Sequence, residues 1–383
     1  MHGIRVGLIG VLVVVLLGCG PETPVPQPPS ATPHGATVPS ATGAPEPTAT
    51  AAPAVSPTPR PSVEGPLEVG GQPARALALA AGSPVRYALL AGGLARSDDG
   101  GATWKQVSTQ ALPRLLVSPH DPLTLYSGDV PPCLKGGPDP IFRRSSDGGQ
   151  TWVDLPGGQG IRPVAEHPQR RGTLYGISCN GFQLSADGGQ AWQLTGPTMG
   201  WDITALLPVA GDTVRFLAAV TSEGGTSRLA WFGEDGKALP DPAPGLTFWG
   251  RGVLAQSGHA LFLADSTAVW RSDDGGNHWA AFKDGLADVV LAGDPLTTGV
   301  SQEDSQRGFG LLALAADPHR PQRLALGTVR GLYLSEDRGE HWRPFAAETL
   351  GQLKVTDVAW DTAAPGTLYA TTPQGVLTVR VEM

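Results

Sequence analysis

The chain is poor in several residues on which sites are commonly built. Its 383 residues include three cysteines, five tyrosines and eight histidines. The net charge is −8, with acids and bases interspersed, so no basic stripe marks a nucleic-acid footprint. The apolar run from Val6 to Leu17 is too short to cross a bilayer as a helix. What the chain has instead is glycine, proline and a phrase that recurs.

The phrase is S-x-D-x-G-x-T-W. It reads Ser145-Ser146-Asp147-Gly148-Gly149-Gln150-Thr151-Trp152 and returns at Ser97 to Trp104, Ser185 to Trp192, Ser272 to Trp279 and Ser335 to Trp342. A worn copy sits at Gly233-Glu234-Asp235-Gly236. The aspartates at 99, 147, 187, 235, 274 and 337 are 48, 40, 48, 39 and 63 residues apart, a repeat architecture with one long interval. The glycines suit a hairpin corner with positive φ. The Ser and Asp side chains can bond the backbone of that corner. The Trp opens the next strand and buries a large apolar surface. Five of the ten Trp occupy this slot, which makes Asp99, Trp104, Asp147, Trp152, Asp187, Trp192, Asp274, Trp279, Asp337 and Trp342 structural.

These residues resemble the Asp-box, or bacterial neuraminidase repeat, which occurs in sialidases, xyloglucan-cleaving glycosidases, sortilin-like receptors and photosystem II assembly factors. The resemblance implies an all-β fold, a β-propeller of four-stranded antiparallel blades, with the box at the turn between third and fourth strands. Seven repeats can be laid out, with inner strands starting near Arg75, Arg114, Ile161, Ile203, Arg251, Leu311 and Val355. The seventh stops after Val381 with no box and no fourth strand. The segment Pro66-Leu67-Glu68-Val69 is the expected donor, pairing with Val376 to Val381 and closing the ring.

The N-terminus reads as a signal segment, residues 1–18, and Leu16-Leu17-Gly18-Cys19 resembles a bacterial lipobox. That resemblance implies lipidation of Cys19 and a membrane-anchored, extracytoplasmic protein. Residues 19–65 are rich in Pro, Ala, Thr and Ser with no aromatic residue, a composition that cannot bury enough surface to fold. Residues 66–383 are the expected propeller. Outside the cytoplasm Cys133 and Cys179, in loops of neighbouring blades, are expected to form a disulfide; the alternative is two buried thiols.

His120, His167 and His319 recur at one repeat position, each in a different blade, so turn chemistry is expected rather than a metal site, and no cofactor. Function is expected on the face away from the boxes, where loops vary without disturbing the scaffold. Three features map there. One is the loop Asp129 to Pro140 with Cys133. Another is the insertion Asp284 to Gly308, carrying Glu303, Asp304 and Arg307. The third is Trp201 and Trp249 with Met199 and Phe248 beside them, read as one slot in consecutive blades and either a partner-binding surface or gap filler.

Two function classes remain. A glycosidase needs two placed carboxylates, and no pair stands out by spacing. The sialidase type uses a tyrosine nucleophile and three arginines. Here Tyr87, Tyr126, Tyr175 and Tyr369 are second-strand residues, Tyr333 lies in a third strand, and Gly160-Ile161-Arg162-Pro163 is a poor echo of the sialidase opening phrase. The arginine patch of the assembly-factor type has no evident equivalent. The reading is a monomeric, non-catalytic exported lipoprotein whose propeller binds a protein or glycan; the alternative is a glycoside hydrolase.

Overall fold

The computed structural model describes residues 62–131, 138–197, 201–209, 213–222, 225–240, 245–291 and 310–381. It is a seven-bladed β-propeller of antiparallel blades. In blade one the strands are Gln72–Leu79, Arg86–Leu90, Gly93–Ser97 and Lys105–Ser108, from the channel outward, with Glu68–Val69 folded back on the inner strand. Blades two, three, five and six repeat the four-strand order. Blade four adds Thr247–Trp249, which pairs with the third strand Thr226–Phe232. Its outer strand is only Ala238–Leu239, after the worn box.

Sequence pattern explains the layering. Second strands such as Arg86–Leu90, Ala260–Ala264 and Leu324–Thr328 are buried along their length, because blades cover both faces. Their sequences are accordingly runs of apolar residues rather than alternations. The inner strands of blades one, three, four and six each carry a register shift, near Ala74, Pro163, Ile203 and Leu311. Such bulges add local twist to strands packed around a channel. The cores lie between blades: Tyr175, Phe182, Phe216 and Phe232 fill one gap, and Phe262, Leu324, Leu326 and Trp342 another.

Ring closure uses a different segment from the one expected. Ser62–Glu64 pairs with Gly375–Arg380, with Val63 opposite Val379. Pro66 to Val69 sits on the inward side: Leu67 donates one backbone bond to Val376 at 2.8 Å, and Glu68 and Val69 then turn back onto Gln72 and Pro73. Gly70 and Gly71, at φ +59° and +76°, make that turn, which ends the strand too early for it to complete blade seven. The seam also holds a buried ion pair. Arg86 of blade one bonds Asp361 of blade seven, Nε to Oδ2 at 3.0 Å, with both side chains 2% exposed. Tyr369 donates to the same oxygen at 3.2 Å, and Asp361 Oδ1 accepts the amides of Ala363 and Ala364. Burial opposes the charge on Asp361, but the Arg86 guanidinium outweighs it and holds the carboxyl below its usual range.

The recurring phrases form the turns between third and outer strands. In the first, Ser97 Oγ donates to Asp99 Oδ1 at 2.7 Å and accepts the Gly101 amide at 2.8 Å. Asp99 accepts the Thr103 amide and hydroxyl at 2.9 and 2.6 Å, and the Trp104 indole donates to Gly101 O. The same set returns around Asp147. His replaces Thr in two boxes, where His278 and His341 meet Asp274 and Asp337. Each Asp is thus spent within its own turn. The Thr103 hydroxyl and amide, with Ser97, hold the Asp99 carboxyl down to about 2. At Asp147 partial burial pushes upward, but Thr151 and Ser145 prevail and the carboxyl also lies at about 2. Trp104, Trp152, Trp192, Trp279 and Trp342 each pack into a gap between blades.

Two outcomes are expected. Arg86→Met or Asp361→Leu alone should cost about 3–5 kcal/mol in urea unfolding, by stranding a buried charge, whereas the double substitution should recover most of the loss. Carboxyls depressed in the fold stabilise it above their unfolded value and lose that contribution as pH falls through the folded one. The melting temperature should therefore drop between about pH 4 and pH 2, and Asp99→Asn/Asp147→Asn should flatten that slope.

Candidate functional site

Opposite the box turns lie the loops between second and third strands: Asp129 onward in blade two, Cys179-Asn180 in blade three, Asp265 to Ala268 in blade five and Val329-Arg330 in blade six. The inner strands open onto this face, and three of them start with or just after an arginine. Arg114 precedes Leu116–Ser118, Arg162 opens Arg162–Glu166, and Arg251 precedes Val253–Ser257. The ring brings these together at the channel mouth, across two adjoining cavities of about 290 Å³ each.

Arg162 is the centre. Its Nε donates to Asp129 Oδ1 at 2.8 Å, and Arg114 Nε reaches Asp129 Oδ2 at 3.3 Å. The Val130 amide also donates to Asp129 Oδ1 at 2.9 Å. Burial lowers the pKa of Arg162, as do the charges of Arg114 and Arg251; Asp129 opposes them. Asp129 itself lies below its usual range: burial resists its charge, but Arg162, the Val130 amide and Arg114 prevail. Asp202 faces the cavity shared by Arg162 and Arg251. Asp357 lines the deeper one, with Ala76, Leu77, Leu115, Val164 and Leu206. Asp357 is exposed on the channel wall, yet the protein around it limits its hydration and so raises its carboxyl, with the Val358 amide at 2.9 Å and Arg114 opposing.

The sequence offered no evident arginine patch, yet the ring brings three arginines to one opening. The signal in the sequence was a basic residue near the start of the inner strand in three repeats, in L-P-R-L-L, I-R-P-V and W-G-R-G-V. Only the ring places blades two, three and five around one opening.

The residues singled out from sequence fare differently. Phe248 is 2% exposed and lies in the core between blades four and five, so it fills a gap rather than meeting a partner. Trp201 is half-buried against the blade three and four core, with the Arg228 guanidinium 4.9 Å from its ring centre. Trp249 is half-buried and pairs with Thr226. Both tryptophans thus flank the third strand of blade four instead of repeating one slot, because the chain after the worn box folds back as an extra strand. Cys179 is disulfide-bonded and lies 3.7 Å from Pro131 O. Cys133, its expected partner, lies outside the described residues, as do Cys19, Met199, Glu303, Asp304 and Arg307. The described residues on either side of the last three lie at the mouth face. Leu291 donates to Ser266 O at 2.8 Å on one side, and Val329 to Gly310 O at 3.2 Å on the other. Among the described residues no group of three or more His, Cys, Asp or Glu is arranged to hold a metal, and no helix is long and apolar enough to cross a membrane. All five tyrosines sit in second or third strands and are buried.

No family model matches the chain, and no curated protein does. Solved structures do resemble it. The GH74 xyloglucanase from Xanthomonas campestris superposes with a TM-score of 0.60 at 19% identity, over 84% of this chain and 54% of the enzyme. The chain therefore spans about half of that protein. YCF48 bound to D1 peptide gives 0.52 at 17% identity, over 82% of this chain and 92% of YCF48. The extracellular domain of the putative hybrid two component system BT4673 from B. thetaiotaomicron gives 0.54 at 11% identity, over 83% and 39%. At these identities the likeness is one of fold, a β-propeller.

Proposed function

We propose that this chain is an exported lipoprotein, anchored through Cys19, whose propeller binds a protein or glycan of the cell envelope at the channel mouth without chemically altering it. The observation that carries the reading is the cluster of Arg114, Arg162 and Arg251 around a concave opening. Guanidinium groups present fixed forks of donors suited to carboxylate and other planar anions. The Asp129 carboxyl, held between two of them, is poorly suited to give up or take a proton near neutral pH. The disulfide at Cys179, read as pairing with Cys133, pins the loop that bears Asp129. The Pro-, Ala-, Thr- and Ser-rich stretch before the ring serves as a spacer from the membrane. Propellers of this build serve as binders and as enzymes: YCF48 is bound to a D1 peptide, and another neighbour is a xyloglucanase.

One observation favours the glycosidase reading. Asp357 lines the channel-mouth cavity, and its surroundings push its carboxyl upward, the direction a general acid requires. Asp202, on the same face, would be its partner.

Capture of envelope proteins and polysaccharides on wild type and on Arg162→Ala/Arg251→Ala separates the readings. Binding predicts a ligand retained by wild type and lost by the variant, with a melting temperature close to wild type. Catalysis predicts release of reducing sugar from a polysaccharide panel, abolished by Asp357→Asn. The anchor is checked by fractionation: wild type should partition with membranes and incorporate labelled fatty acid, and Cys19→Ser should do neither.

A further inference from the structure

On the rim of the ring, away from the channel mouth, three arginines occupy equivalent positions. Arg96, Arg144 and Arg271 each immediately precede the serine of a box, at the end of a third strand. Arg96 and Arg144 lie against the first glycine of the next blade's box, Gly148 and Gly188 respectively, and Arg271 donates to the backbone oxygen of Arg338 at the corresponding place. Two of the three are neutralised by the residue after the serine. Arg96 grips Asp98 with both prongs, at 2.8 and 2.9 Å. Arg271 bonds Asp273 at 3.0 Å and also Glu340 of the next box at 3.1 Å.

At Arg144 both acidic places are neutral. Ser146 stands where Asp98 and Asp273 stand, and Gln190 stands where Glu340 does. Asp154 is bonded to Arg143 at 2.7 Å, and Asp147 and Asp187 are held in their own turns. Among the described residues the Arg144 guanidinium makes no hydrogen bond or ion pair, and its Nε is buried without a partner. It rests 5.9 Å from the Tyr126 ring centre and lines a groove of about 350 Å³ between blades two and three. Ser146, Thr151 and Gln190 give that groove polar walls. Val153, 62% exposed, and Leu155 give it an apolar edge. Val153–Asp154 is the edge strand of its blade, with one face of its backbone unpaired.

We propose that this groove is a second binding site, which takes an acidic side chain from an extended segment of a protein partner. The partner's carboxylate supplies the anion that Asp98 and Asp273 supply to the other two arginines, and its apolar neighbours cover Val153 and Leu155. A half-buried guanidinium whose Nε has no partner is the costly state, and a charge-assisted fork to a carboxylate relieves it. The volume suits one side chain and its flanks. This inference is independent of the channel mouth, which lies on the other face, so either can fail alone.

The probe is a pair of capped tripeptides, acetyl-Val-Glu-Val-amide and acetyl-Val-Gln-Val-amide, titrated into the ¹⁵N-labelled full chain. The Glu peptide should shift the Arg144 Nε–H and Val153 signals with a Kd of about 1 mM or tighter, leave Arg96 unmoved, and bind roughly tenfold more tightly than the Gln peptide. Ser146→Asp rebuilds the carboxylate found beside Arg96 and Arg271. It should keep the melting temperature and cut binding of the Glu peptide by about tenfold or more. Absence of a shift at Arg144, equal response to the two peptides, or undiminished binding by Ser146→Asp would each overturn the proposal. So would binding to phosphatidylglycerol vesicles that Ser146→Asp abolishes, without a response to peptide, since that assigns the groove to a lipid phosphate.

Discussion

The fold depends on closing a ring, and closure depends on contacts between the two ends of the chain. Ser62–Glu64 covers the open edge of the last blade, and the buried pair of Arg86 and Asp361 crosses the same seam. The two are different in kind. Strand pairing removes an exposed edge and is tolerant of sequence. The ion pair is directional and buried, and its satisfaction by Tyr369 and two backbone amides specifies how the first and last blades dock.

Within each blade the box turn does a smaller version of the same work. One serine and one aspartate take up most of the polar groups of a tight corner, so the corner needs nothing from its neighbours. The tryptophan that follows is then free to pack into the gap between blades. Blade four shows what happens when the device is worn. Around Asp235 the described contacts of the carboxylate are with Lys237, through its amide at 3.0 Å and its ammonium at 2.9 Å, and a later segment folds back to complete the sheet. That compensation relocates Trp249 from the slot its spacing suggested.

Because the corners are self-sufficient, the opposite face is released from structural duty. Its chemistry is concentrated in a few charges whose neighbours alter them: Arg162 with two further guanidiniums nearby, Asp129 clasped, Asp357 crowded in the channel. The rim arginines illustrate the complementary case. Three copies of one position, in one structural context, differ only in whether an acid is supplied from within.

Much of the architecture was legible in the residues. Repetition of Ser, Asp, Gly and Trp at near-constant spacing reports a local turn whose bonds all fall within eight residues, and a local structure can be read locally. Seven repeats, the last of them lacking a strand, already implied a ring sealed by the other end. Tertiary structure alone decided which segment seals it: Ser62–Glu64, inside the stretch whose composition argued against folding, pairs with the last blade, and a glycine pair turns Pro66 to Val69 aside. It alone decided that Phe248 is core and that Arg114, Arg162 and Arg251 share one opening. Those facts rest on which blades stand side by side around the channel, and separation along the chain carries no information about distance across a closed circle.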